Sequence, residues 1–279
     1  MQLKKVVLGL LQHTLLIAVS FIAALPVLSC ILASFKTQTE LAENSFFSLP
    51  SREFYAENYC VIWRSGFGHA LVVTMAIVIC AVLVACLLNA MVAYVLCRFN
   101  FAYKKMIYFI ILISSFIPTI TMQIYVFQMM ANVGLVNTMF GYILLVCGID
   151  IVSIFIFNRY FSSIPISIDE AAILDGCSYT KVFFTIHLPL LRQAFLTAAI
   201  LKTIFIYNEY YIANLYLLDK TKYQTVTTLL YSFSAPFGTQ YNIISAGVIM
   251  AALPTAVLFV IFQKRIYNGL VSTKNSEID

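Results

Sequence analysis

Few side chains in this sequence could do chemistry together, and the densest group is the stretch EAAILDG, which begins at Glu170. Glu170 and Asp175 offer carboxylates, which make charge-assisted hydrogen bonds with arginine or lysine. Ala171, Ala172 and Gly176 are small. By itself such a short helix fits a solvated surface cover as well as a contact with a partner. The other reactive side chains are scattered. His13, His69 and His187 stand apart, each expected on a helix surface or in a loop, and no HExxH or CxxC pattern supplies converging ligands. No catalytic group, metal site or cofactor is therefore expected. No GxxxxGK[ST] loop is present either, so any use of ATP would have to come from another polypeptide. The seven cysteines imply no disulfide framework.

A second set of polar residues stands out by its surroundings. Asp150, Lys202 and Glu209 fall inside long apolar stretches. Charges at membrane depth are costly and usually face a bundle interior, so each is a candidate functional group. Lys202 could extend toward the cytoplasmic surface. Asp150 could pair with Lys202, with a charge on a partner, or face a wet passage. Tyr125, Gln128 and Asn132 recur at helical spacing and form a stripe that suits either a pore or an interhelical contact.

The elements that must position these groups follow from composition. Of 279 residues, 62% are hydrophobic and only 10% charged, against about 25% charged in an ordinary soluble domain. Runs of roughly 20 apolar residues cross a hydrocarbon core. Six are expected, over residues 6–34, 70–96, 106–131, 135–157, 194–218 and 243–262, within a single membrane domain of residues 1–279. The first run is too long for the core of a signal peptide and is read as a retained span.

Basic residues near span ends favour the cytoplasm. Lys4, Lys5, Arg98, Lys104, Lys105, Arg159, Lys181, Arg192, Lys264, Arg265 and Lys274 fall on one side of the six-span arrangement. Lys36, Arg52, Arg64, Lys220 and Lys222 fall on the other. Both termini and the loop 158–193 are thus expected in the cytoplasm. This topology accounts for the net charge of +5 without any nucleic acid.

Within that loop, Ser167 and Glu170 have the spacing of a capping box, and Gly176 can take the left-handed conformation that closes a helix. A second helix is expected from Ser178 or Tyr179 to about His187, with Val182, Phe183 and Ile186 on one face, and Pro189 marks a boundary before the fifth span.

The loop resembles the EAA loop of ABC importer permeases: Glu170, Ala171, Ala172, Asp175, Gly176, Ile186, Leu188 and Pro189 fall in the family's pattern. Other stretches are similar to the carbohydrate-uptake, maltose-type branch: GLVNTMFGYIL from Gly134, ENYCVIW from Glu57, YNEY from Tyr207 and NGLVSTK from Asn268. The resemblance implies an all-α membrane protein with the type I importer permease fold, six transmembrane helices and a cytoplasmic coupling helix. It further implies a sugar substrate, a cytoplasmic ATPase dimer that receives Glu170, Ala171, Ala172, Asp175 and Gly176, a second, different permease subunit and an extracellular solute-binding protein, all at the cell membrane and its lipid.

Asn208, Glu209 and Tyr210, with Tyr125, Gln128 and Asp150, would then be candidates for a sugar passage, since acids and amides bond hydroxyls while aromatic rings take the apolar faces. Asn208 and Glu209 could equally hold neighbouring helices together. Asp150, Lys202, Gln193 and Ala213 depart from the family's usual residues. Two alternatives remain open: an ABC importer of another solute, such as an amino acid, a polyamine or a glycerol phosphate, and an ion-coupled secondary carrier.

Overall fold

The computed structural model describes residues 2–51, 54–234 and 238–271, and among these it is helical with no strand. In chain order the helices are α1 (Gln2–Ser34), α2 (Gln38–Glu43), α3 (Glu57–Ile62) and α4 (Gly68–Arg98), with a π turn at Trp63–Phe67 joining the last two. Then come α5 (Lys104–Ser114), α6 (Thr119–Asn132), α7 (Met139–Val146), α8 (Ile151–Ser163) and α9 (Ser167–Leu174). Next are α10 (Tyr179–Val182), a second π turn (Phe183–His187) and α11 (Leu188–Leu190). The chain ends in α12 (Arg192–Asn208), α13 (Tyr211–Tyr216), α14 (Lys220–Tyr223), α15 (Val226–Ser232) and α16 (Tyr241–Val271).

Among the described residues, two helical runs are long and apolar enough to cross a membrane, Gly9–Ser34 and Glu57–Arg98. The third, fourth and fifth expected runs are jointed. Pro118 lacks an amide hydrogen and separates α5 from α6. A bend of 57° separates α7 from α8, and α12 stops at Asn208 before restarting as α13. The sixth run is one helix, with Pro254 inside it. Arg52 and Lys274 of the topology reading above lie outside the described residues, as do Glu53 and Pro236.

The chain forms two compact units, one of Met1–His69 with Leu229–Val257 and one built on Ala70–Thr228. In the first, Asn58 is the cross-link. Its buried amide donates to the carbonyls of Ser34 (2.8 Å) and Lys36 (2.9 Å), and its oxygen accepts from Asn242 on α16 at 2.8 Å. The asparagine of the ENYCVIW stretch thereby ties the end of α1 to the start of α16. Lys36 is fully buried and donates to the carbonyl of Ser45 and the hydroxyl of Ser48.

The second unit packs around α4. Ala70, Ala81, Ala85, Ala90 and Ala93 are buried, and such small residues let helices approach closely where lipid provides no hydrophobic drive for association. Against this core lie Tyr142 of α7, Ile154, Phe157 and Phe161 of α8 and Ala194 and Ala198 of α12.

The GLVNTMFGYIL stretch is a turn built from its own side chains. Asn137 is left-handed (φ 59°), donates its amide to the carbonyl of Tyr216 at 2.8 Å and accepts from the amide of Asp219 at 2.8 Å. Thr138 caps α7 by accepting from the amide of Gly141 and donates to the carbonyl of Leu135. A Cβ on Gly141 would sit 2.1 Å from that same carbonyl oxygen, so only glycine fits.

Candidate functional site

The EAAILDG stretch forms α9, a helix of two turns. It starts one residue earlier than the capping box predicts: Ile166 is already helical (φ −63°, ψ −29°), the amide of Glu170 bonds to its carbonyl, and no side chain caps the end. Pro165 precedes it, and Ser167 lies inside the first turn, where its hydroxyl cannot serve as the cap. Asp169 and Glu170 place acid in that turn instead, which favours the positive end of the helix dipole.

The C-terminus closes as Gly176 predicts. With φ at +83°, Gly176 donates its amide to Ile173 O and Cys177 donates to Ala172 O, both at 2.9 Å. This pair of bonds is a Schellman closure. Ser178 then caps α10 by accepting from the amide of Lys181.

The helix presents two faces. Glu170, Ala171, Asp175 and Gly176 are exposed, as are Ile166 (60%) and Leu174 (88%). Ala172 turns inward and packs within the chain's own interior, so its small side chain seats α9 rather than facing a partner.

The residue that seats α9 most firmly is one the sequence reading passed over. Asp169 is buried, with Oδ2 2.7 Å from Arg98 Nε at the end of α4 and Oδ1 2.5 Å from Nε2 of His187. Arg98 also donates from Nη2 to the carbonyl of Ile164 at 2.9 Å. His187 is therefore neither a surface nor a loop residue. It is fully buried, in ring contact with Tyr94 and Phe161. The π turn explains the difference: its extra residue per turn leaves Ile186 half-buried and puts His187 into the core beside Val182 and Phe183. Burial lowers the His187 pKa, and the neighbouring Arg98 adds to this, while Asp169 opposes it. The helical segment also runs past Pro189 to Leu190 before bending by 78° into α12. The boundary therefore falls at Leu191.

The polar residues at membrane depth fall into separate places. Asp150 caps α8, accepting from the amide (2.8 Å) and hydroxyl (2.9 Å) of Ser153, and pairs with Lys202 at 3.2 Å. Its own amide donates to Asn89, which is buried in α4. Of the roles open to Asp150 and Lys202, the structure thus brings the two together across α8 and α12. Glu209 accepts from the amide of Ile212 at 2.8 Å and so begins α13. Asn208 is exposed and donates to Ile204 O, and Tyr210 is half-buried. Tyr125, Gln128 and Asn132 all face outward from this chain, whereas their neighbour Gln123 is buried and accepts from the hydroxyl of Tyr216 at 2.9 Å. Among the described residues no cluster of histidine, cysteine or carboxylate could hold a metal.

The structure superposes with a TM-score of 0.77 on a chain from the crystal structure of a bacterial ABC transporter involved in the import of the acidic polysaccharide alginate, at 20% identity and covering 92% of this chain and 96% of that one. Residues 88–267 match the family described as binding-protein-dependent transport system inner membrane component. The chain belongs to that family. It is 30% identical, over 92% of its length and 85% of the relative's, to a diacetylchitobiose uptake system permease protein of Streptomyces coelicolor. It is also 30% identical to an arabinooligosaccharides transport system permease protein of Halalkalibacterium halodurans, over 90% of this chain and 91% of that one. With a melibiose/raffinose/stachyose import permease protein of Bacillus subtilis the identity is 30%, over 77% and 79%. The chain is accordingly a transport subunit located in the membrane.

Proposed function

We propose that this chain is the permease subunit of an ATP-driven, binding-protein-dependent importer of oligosaccharides or disaccharides, and that α9 is the element through which ATP hydrolysis moves it. Six spans, over residues 6–34, 70–96, 106–131, 135–157, 194–218 and 243–262, would leave both termini and the loop 158–193 in the cytoplasm. There a dimer of ATPase subunits receives the outer face of α9, formed by Glu170, Ala171, Asp175 and Gly176, while Ala172 holds the helix from within. A second, different permease completes the passage, and a solute-binding protein delivers sugar from outside.

The observation that carries this reading is the exposed face of α9. Two acids and the protruding Leu174 stand on a helix whose other face is locked into the chain. Leu174, at 88% exposure, and Ile166, at 60%, add apolar surface to that face. The three relatives named for diacetylchitobiose, arabinooligosaccharides and melibiose, raffinose and stachyose support a sugar as the substrate class. Asn208, Glu209 and Tyr210, with Tyr125, Gln128 and Asp150, are the residues proposed along the sugar's route; the exposed ones have hydrogen-bonding groups free to face a second subunit.

Proteoliposomes containing the chain with its ATPase, second permease and binding protein test the proposal. Labelled oligosaccharide should accumulate only with ATP, and Glu170→Ala should weaken co-purification of the ATPase. Uptake by the chain alone on an ion gradient would refute it.

A further inference from the structure

Asp169 differs from the other acids of α9 in facing away from any partner. Its carboxylate is held by Arg98 from α4 and His187 from the π turn, and all three side chains are at least nine-tenths buried. Arg98 simultaneously holds the carbonyl of Ile164, just ahead of α9. A helix of two turns is marginal on its own, and Ala172 is the only apolar residue of α9 that is buried. Apolar contact is also non-directional. The charged bonds to both oxygens of Asp169, by contrast, fix the position and the rotation of the first turn.

Resting on the docking role of α9, we propose that Arg98, Asp169 and His187 are positioning residues that brace the docking helix against the cytoplasmic end of α4, so that a push on α9 is delivered to that span. Charge balance sets the working state of the brace. One guanidinium and one carboxylate cancel, so a neutral His187 donating from Nε2 to Asp169 leaves the buried cluster uncharged. Protonation would add a second cation beside Arg98 without a second acid. The titratable and charged groups facing His187 are Asp169 from α9 and Arg98 and Tyr94 from α4; α8 contributes the uncharged ring of Phe161. Acid should therefore loosen the brace, and because burial holds the His187 pKa down, it should do so only below the ordinary histidine range.

The test uses the complete importer in proteoliposomes, with oligosaccharide uptake, ATP hydrolysis and retained ATPase measured together. Asp169→Asn should keep the ATPase bound while lowering uptake per ATP by about tenfold, with Asp169→Glu in between. Uptake per ATP in the natural protein should fall in acid, at a pH below the ordinary histidine range. His187→Gln, whose amide can still donate to Asp169 but cannot gain a proton, should abolish that fall while changing uptake near pH 7.5 by less than about twofold. An unchanged uptake-to-ATP ratio in Asp169→Asn overturns the brace, as does an acid decline that survives in His187→Gln. Should Asp169→Asn fail to assemble, the His187→Gln profile decides alone. Glu170→Ala, run in parallel, separates the two ideas: release of the ATPase leaves docking standing however the brace fares, and retention of the ATPase refutes docking itself.

Discussion

Replacing Gly176 by alanine isolates the contribution of one backbone conformation to docking. At φ +83° the residue lies in the left-handed region, which costs an L-residue roughly 1–2 kcal/mol. A Cβ there would meet nothing within 4 Å, so no steric term adds to that cost. The two closing bonds, Gly176 N to Ile173 O and Cys177 N to Ala172 O, are worth about 1 kcal/mol each, and they hold the backbone where it is only if the strain is tolerated. If the closed end is what the ATPase binds, about 1–2 kcal/mol lowers the competent population by roughly 5- to 30-fold. Titrating purified ATPase against the detergent-solubilised permease pair should show a Kd weakened by about that factor. Gly176→Asn should recover most of the loss, because asparagine visits the left-handed region more readily. Alanine binding as tightly as glycine, or asparagine behaving no better than alanine, would refute the backbone argument.

Asp150→Leu removes the cap of α8 and leaves Lys202, whose side chain is only 11% exposed, without its acid; a loss of about 2–4 kcal/mol is expected. Thermal unfolding of the purified protein should show it, and adding Lys202→Met should restore most of it. Gly141→Ala drives a methyl group into the carbonyl of Leu135, so the turn before α7 must shift and the melting temperature should drop by several degrees, about 1–3 kcal/mol. Asn58→Leu strands the carbonyls of Ser34 and Lys36 and the amide of Asn242. It should destabilise the protein by about 2–3 kcal/mol, read by the same melting assay.

What the sequence disclosed depended on whether a signal was local. Gly176 announced the end of α9 because only its own backbone was at stake, and the apolar runs announced helices because burial in lipid needs no partner. The joints were harder. The break at Pro118 fell inside a run read as one span, and Asp150 and Glu209 read as charges in search of a function, since their use as helix caps appears only once Ser153 and Ile212 are in place. The seat of α9 was invisible for a similar reason. Arg98 counted as one more cytoplasmic cation, and His187 as a stray imidazole, because their common partner Asp169 lies far from both in the chain. Ser167 misled in the opposite sense: the capping-box spacing was present, yet Ile166 had already entered the helix.

The joints within the apolar stretches bear on how such a chain bends. At Asp150 and at Glu209 the newly started helix finds an acceptor for one of its free amides in the side chain at the joint itself. Changing the angle between two such halves therefore exposes fewer bare amides to hydrocarbon than kinking a continuous rod would. A membrane segment assembled this way behaves as a limb with an elbow, able to swing while each bone stays rigid.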